Sequence, residues 1–289
     1  VTRAAERVNG AERSFQVERI DAATDWSHAL PGCQAVVHLA AQVHVMGASR
    51  REQADLYHSV NVDGTVRLAE AAAQAGVRRF VFVSSAKVLG EHSQPGHPFS
   101  DHSPPAPVDP YAKSKYAAEL ALFELAKRTG MEVVVLRPPL VYGPGAKANF
   151  HALMQAIERG IPLPLAALNS RRTFCYLGNL VDVILLSLVH PAAADRTFLV
   201  ADAETLSLSD FARRLAATLG RPARQWPLPE KLLALAGALF HKQESVRRLI
   251  ESFEIDTIGV RTAMEWYAPY SIAAGIAETA RAWRVSHAG

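Results

Sequence analysis

The chain has 289 residues, 49% of them hydrophobic and 20% charged, with 31 basic residues against 28 acidic ones. That is the make-up of an ordinary folded protein with room for a large core, and it argues against a disordered chain. The small positive excess comes as scattered pairs such as Arg50-Arg51 and Arg171-Arg172, so nucleic acid is not indicated as a partner.

Residues 1–10 are polar and show no leader-like apolar run; the apolar stretch 180–189 is short and contains Asp182, too short for a membrane span. No membrane is expected as a partner, and a cytoplasmic location follows. Cys33 and Cys175 stand far apart without a CxxC pair, which suggests a reducing compartment and neither a disulfide framework nor a zinc site. In chain order, residues 35–39 form the first clear apolar run, and 61–74 follow as a helix with apolar positions three and four apart, ending near Gly76. Residues 80–84 are a second buried strand. The next stretch carries His92, His97 and His102 among prolines and glycines; a spacing of five fits neither a helix face nor a metal motif, so this reads as a polar loop with no metal. Residues 111–128 form the second long helix and stop near Gly130; 132–136 form a third strand and 197–200 a fourth.

Strands that are apolar throughout, alternating with amphipathic helices, predict an α/β fold with a doubly wound parallel sheet. Ligands of such sheets bind beyond the carboxyl ends of the strands, which directs attention to residues 38–43, 84–87 and 137–145. After Gly145 the pattern becomes mostly helical with proline-rich joints. The expected division is a dinucleotide-binding domain of residues 1–145 and 175–202, and a smaller, mostly helical substrate-binding domain of residues 146–174 and 203–289.

The strongest chemical signal is Tyr111-Ala-Lys-Ser-Lys115. Residues four apart share a helical face. An ammonium beside a phenol favours the phenolate and draws its pKa down from about 10, giving a group able to exchange a proton with a hydroxyl. The bare pattern is equally met by a surface helix pair, so its context matters. Phe80-Val-Phe-Val-Ser-Ser85 ends a buried strand in two hydroxyls. Val36-Val-His-Leu-Ala-Ala41 ends another in small side chains that a flat ligand can approach, or that simply pack closely. Arg137-Pro-Pro-Leu-Val-Tyr-Gly-Pro-Gly145 breaks a third at Pro138.

Together with Asn61-Val-Asp-Gly-Thr65, Asp109-Pro-Tyr-Ala-Lys-Ser-Lys115 and Glu265-Trp266, these segments resemble, in order and spacing, the extended short-chain dehydrogenase/reductases. The resemblance is to the NAD-dependent epimerase/dehydratase group acting on nucleotide sugars, and it runs over nearly the whole chain. It implies a Rossmann-type fold, NAD or NADP as cofactor, a UDP-linked or similar nucleotide sugar as substrate, and a homodimer formed through the two long helices. Ser85, Tyr111 and Lys115 match the catalytic serine, tyrosine and lysine. Asp21, at the end of a short strand 17–20, and Ala22 match contacts to the adenine. Leu39, Ala40, Ala41, Ser84 and Pro138 match further cofactor contacts, to which Tyr111 and Lys115 also belong. Ser85, Lys87, Asn149 and Arg172 match substrate positions, an arginine suiting a diphosphate through its fork of donors.

Three departures shape the reading. The glycine-rich GxxGxxG fingerprint is not found; the resemblance implies that it lies on a strand and helix upstream of Val1, so the chain reads as truncated at its amino end. Ala86 and Lys87 stand where the dehydratase branch carries an Asp-Glu pair, which argues against a 4,6-dehydratase. Leu89 stands where the pattern has tyrosine. Arg3 and Arg7 favour NADP. The function expected is a nucleotide-sugar 4-epimerase, with an NADPH-dependent 4-ketoreductase close behind. A steroid- or flavonoid-type reductase ranks lower, as does a non-catalytic dinucleotide-binding sensor.

Overall fold

A computed structural model describes residues 13–43, 50–94, 96–146, 149–239 and 243–287. The chain forms two compact units. The first comprises Val1–Leu89, Pro104–Arg137 and Leu186–Phe198; the second comprises Gly90–Ser103, Pro138–Leu185 and Leu199–Gly289. Among the described residues no helix is long and apolar enough to cross a membrane.

The first unit is built on β1 (Ala35–His38), β2 (Arg79–Val83) and β3 (Glu132–Arg137), joined by β6 (Arg196–Leu199) in the order β1-β2-β3-β6. β1 runs parallel to β2 with Val37 opposite Val81, and β2 parallel to β3 with Val81 opposite Val134. The crossovers are helical, as parallel strands require. Between β1 and β2 the chain runs through α1 (Arg50–His58), one wide π turn (Ser59–Asp63) and α2 (Gly64–Gln74). Between β2 and β3 lies α3 (Pro110–Thr129). The apolar strands and the helix faces close on a core of Phe80, Phe82, Val133, Val135, Leu122, Ala118, Leu68 and Trp26. Each large side chain so buried contributes about 1.5–3 kcal/mol. Arg79 ties this core to the end of a later helix: it pairs with Glu132 and donates to the carbonyls of Ser187 and His190 at 2.9 and 2.8 Å.

α3 shows why its sequence starts and stops where it does. Asp109 caps it, accepting from Ala112 N at 2.6 Å, and Pro110 occupies the first position, where a missing N–H costs nothing. Lys127 and Arg128 lie in the last turn, and Gly130 closes it with φ of +74°, a conformation other residues rarely take.

The second unit holds β4 (Leu140–Tyr142), parallel to β5 (Arg171–Tyr176), which is antiparallel to β7 (Thr205–Ser207). Around them lie α4 (Asn149–Glu158), α6 (Leu208–Thr218), α7 (Glu230–Leu239), α8 (Gln243–Ile250), α9 (Ile258–Met264) and α10 (Ile272–Ser286). α5 (Leu177–Val189) carries the chain from the second unit into the first. The core of this unit gathers aromatic rings, Phe174 stacking on Phe211 at 4.3 Å and Tyr142 meeting Phe211 edge-on at 5.2 Å. Buried Asp202 accepts from Tyr142 Oη at 2.9 Å, Tyr176 N at 2.8 Å and Asn179 Nδ2 at 2.7 Å, joining β4, β5 and α5.

One expected strand does not form. Residues 17–20 make no ladder, and a single bridge at Gln16 stands in their place. The chain there turns instead: Asp21 Oδ1 accepts from Ala23 N, and Thr24 Oγ1 accepts from Asp21 N and donates to the carbonyl of Arg19, an Asx-type turn that competes with an extended strand.

Candidate active site

At the carboxyl ends of β1 and β2, and on the first turns of α3, the first unit brings polar groups together. β2 ends in two serines with different roles. Ser84 is buried; its N–H donates to the Leu136 carbonyl at 2.8 Å and its hydroxyl to the carboxylate of Glu119. Ser85 accepts from Lys87 N at 3.3 Å, and its hydroxyl is near enough to Tyr111 to favour the phenolate there. The ring of Tyr111 meets that of Tyr57 edge-on at 6.1 Å.

Lys115 lies one turn further along α3 and is 1% exposed. Its ammonium sits 3.8 Å from the centroid of the Phe82 ring and meets no hydrogen-bond acceptor among the described residues. Burial pulls its pKa down to about 7, against an opposing pull from Glu119. His38, at the end of β1, is held near 3 by burial and then by Lys115, so it is neutral at working pH. Its Nε2 lies 3.0 Å from Thr65 Oγ1, whose own proton goes to the Asn61 carbonyl. Nε2 of His38 therefore carries the proton.

The sequence expectation that Lys115 draws Tyr111 toward neutrality is not met. Burial pushes Tyr111 up to about 12, reinforced by the charge of Asp109 and by Tyr57, while Ser85 opposes the rise. Taking a phenolate out of water costs more than the surrounding dipoles return.

Further candidates lie in the same unit. Leu39 is 62% exposed at the end of β1, and Ala40 and Ala41 are half-buried. Asn61 clamps the chain just beyond them, accepting from Gln42 N at 2.7 Å and donating to Gln42 O at 3.1 Å and to Ser114 Oγ at 2.9 Å. Asp21 pairs with Arg19 at 2.8 Å, beside Ala22 in its turn. Lys87 forms an ion pair with Asp109, the cap of α3, and Ala86 and Leu89 are buried in the short turn Ala86–Leu89, which gives the apolar Leu89 its place.

The remaining candidates belong to the second unit or lie outside the described residues. Pro138 is buried and ends β3. Arg172 donates through Nη2 to the carbonyls of Arg248 and Glu251, and burial draws its pKa down to about 10. Asn149 opens α4, and its side chain lies outside the described residues, as do Arg3 and Arg7.

Two residues central to this arrangement were not assigned a role from the sequence: Glu119, two turns beyond Tyr111, and Arg137, whose Nε donates to Glu119 at 3.0 Å. A carboxylate within the apolar stripe of α3 and an arginine closing an apolar strand were the available signals, since buried charges come in pairs.

The residues fit a nicotinamide dinucleotide. Methyl-sized side chains follow an open strand end, the backbone beyond is pinned by Asn61, and a buried ammonium meets no acceptor among the described residues, as a hydroxyl-bearing ligand would require. This is the organisation of a dinucleotide-dependent α/β enzyme. The chain belongs to the NAD dependent epimerase/dehydratase family, whose model matches residues 2–201. It is 42% identical over 270 residues to the UDP-glucose 4-epimerase of Vibrio cholerae, covering 93% of this chain and 82% of that one. It is 26% identical over 265 residues to the N-acetyl-alpha-D-glucosaminyl-diphospho-ditrans,octacis-undecaprenol 4-epimerase of Escherichia coli O157:H7, covering 87% and 78%. Among solved structures it resembles the UDP-glucuronic acid 4-epimerase from Bacillus cereus in complex with NAD, with a TM-score of 0.73 at 22% identity over 90% of this chain and 76% of that one.

Proposed function

We propose that this protein interconverts UDP-linked sugars epimeric at C4, using NAD, with Tyr111, Ser85 and Lys115 as its catalytic groups. The observation that carries the reading is the gathering of Ser85 at the end of β2, Tyr111 on the first turn of α3 and the buried Lys115 ammonium one turn along the same helix, Ser85 acting directly on the Tyr111 phenol. The extensive likeness to the Vibrio cholerae enzyme supports the choice of substrate.

The chemistry supplied by a bound NAD is reversible hydride acceptance at the sugar carbon. The chain supplies the proton traffic. With its pKa near 12, Tyr111 holds its proton at neutral pH, the form that donates to a 4-keto oxygen. To act as base on the 4-hydroxyl it must shed that proton, and the ammonium of Lys115 is the positive charge placed to favour this once water is excluded. Ser85 donates to the same sugar oxygen and holds it against the phenol. The first unit serves as the dinucleotide-binding part, and Arg172 and Asn149 of the second serve the diphosphate and base.

The test is conversion of UDP-glucose to UDP-galactose by the protein with NAD. Tyr111→Phe should lower kcat by about 10²–10⁴-fold with nucleotide-sugar affinity unchanged. Full activity in that variant would refute the assignment. Stoichiometric consumption of NADPH on a 4-keto sugar, without epimerisation, would move the function to a reductase.

A further inference from the structure

We propose that Glu119 is the positioning residue of this site: its carboxylate, gripped by Ser84 and Arg137, acts on the Lys115 ammonium from one helical turn away without hydrogen-bonding it, and ties that turn of the helix to the strand end that carries Ser85. The proposal rests on the catalytic reading of Lys115 given above.

Tyr111, Lys115 and Glu119 follow one another at four-residue intervals along α3, so they lie along one face of the helix. Glu119 is 1% exposed and Arg137 7%. The carboxylate accepts from the Ser84 hydroxyl at the end of β2 and from Arg137 Nε, at 3.0 Å, at the end of β3, while Arg137 Nη2 reaches its second oxygen. One carboxylate thus pins two strand ends to the helix beneath the reacting groups. Ser84 is the backbone neighbour of Ser85, so the same grip sets where the Ser85 hydroxyl points.

The groups facing Lys115 are few. Glu119 and Tyr111 lie on its own helix, the Phe82 ring on β2, His38 at the end of β1, and Arg137 on β3 across the shared carboxylate. His38 is neutral and Tyr111 protonated at working pH. Glu119 is therefore the acidic group whose pull opposes the loss of the Lys115 proton. Its partner Arg137 donates to both carboxylate oxygens, the paired geometry that a buried carboxylate needs.

The experiment compares the pH dependence of kcat and KM for epimerisation in the wild type, Glu119→Gln and Glu119→Asp. Removing the carboxylate lets Lys115 lose its proton at lower pH. The alkaline limb of Glu119→Gln should therefore move acidward by about one unit, seen as a loss approaching tenfold above neutrality that closes by about pH 5. KM should hold within about twofold, since a substrate-binding role would move it, and Glu119→Asp should restore part of the shift. A profile of unchanged shape, whether lowered equally at every pH or not lowered at all, would overturn the proposal and leave Glu119 a structural ion-pair member. Should Glu119→Gln fail to fold, the neutral double variant Glu119→Gln/Arg137→Met removes the unpaired charge and carries the same readout. Lys115→Met separates the two levels. If it is inactive while Glu119→Gln keeps the wild-type profile, only this proposal fails. If Lys115→Met retains turnover, the catalytic reading fails and takes this proposal with it.

Discussion

At the scale of single residues, the site spends stability on function. Lys115 holds its proton less tightly in the folded protein, about 7 against 10.5 in solution. The unfolded chain binds more protons between those values, so this residue's contribution grows as pH rises from about 7 to 10.5 and is unfavourable below. The cost at neutral pH is on the order of a few kcal/mol. Lys115→Met should therefore be inactive yet melt several degrees higher than wild type at pH 7, with the difference shrinking at pH 9. A lower melting temperature would show that the ammonium is better compensated than its surroundings indicate. At this scale the sequence displayed Tyr111 and Lys115 by their spacing and Ser85 by its place at a strand end, with their catalytic roles implied by the family resemblance. It did not display which of the two serines turns inward, because that depends on Glu119, and a glutamate in an amphipathic helix ordinarily marks the wet face.

At the scale of elements, the strands β1, β2, β3 and β6 were legible because burial on both faces demands unbroken apolar runs. β5 and β7 were not: β5 begins at the charged pair Arg171-Arg172, and β7 is three residues long. The helix expected over 61–74 is present only from Gly64 as an α-helix; the residues before it widen into a π turn whose bond runs from Gly64 N to Ser59 O. That turn inserts Asn61 where it can grip Gln42, a placement no periodicity announces. Gly64 is fixed by contact, since a Cβ there would lie 2.7 Å from Ile20 Cγ2 and 3.1 Å from the Ile20 carbonyl. Gly64→Ala should therefore lower the urea midpoint, by about 1–3 kcal/mol of overpacking offset by up to about 1 kcal/mol of helix propensity. A stabilised variant would mean that the 13–30 segment yields easily.

At the scale of the whole molecule, acid should act first through His38. Its folded pKa of about 3 lies below the ordinary 6.5, so the unfolded chain takes up the proton first, and stability falls as pH drops from about 6.5 toward 3. Asp202 has the opposite sign. Burial raises its pKa above 3.8, so its contribution is present at acid pH and lost as pH rises through the folded value. The denaturation midpoint should decline between pH 7 and 4, and His38→Gln should flatten that decline; an unaltered slope would assign acid sensitivity to other groups. The α/β class could be read from the order of runs and amphipathic segments. The threading of the two units could not, because it depends on which distant segments pack together.

That threading has a practical outcome. The backbone passes between the units at Leu89, Ser103, Arg137, Leu185 and Phe198, so neither half is a continuous stretch that can be cloned by itself. A protease that nicks the loop at residue 90 releases no free-standing piece, since 1–89 still lacks the β3 segment of its own sheet. Dissecting this enzyme into autonomous halves would require rejoining segments in a new order rather than choosing a place to cut.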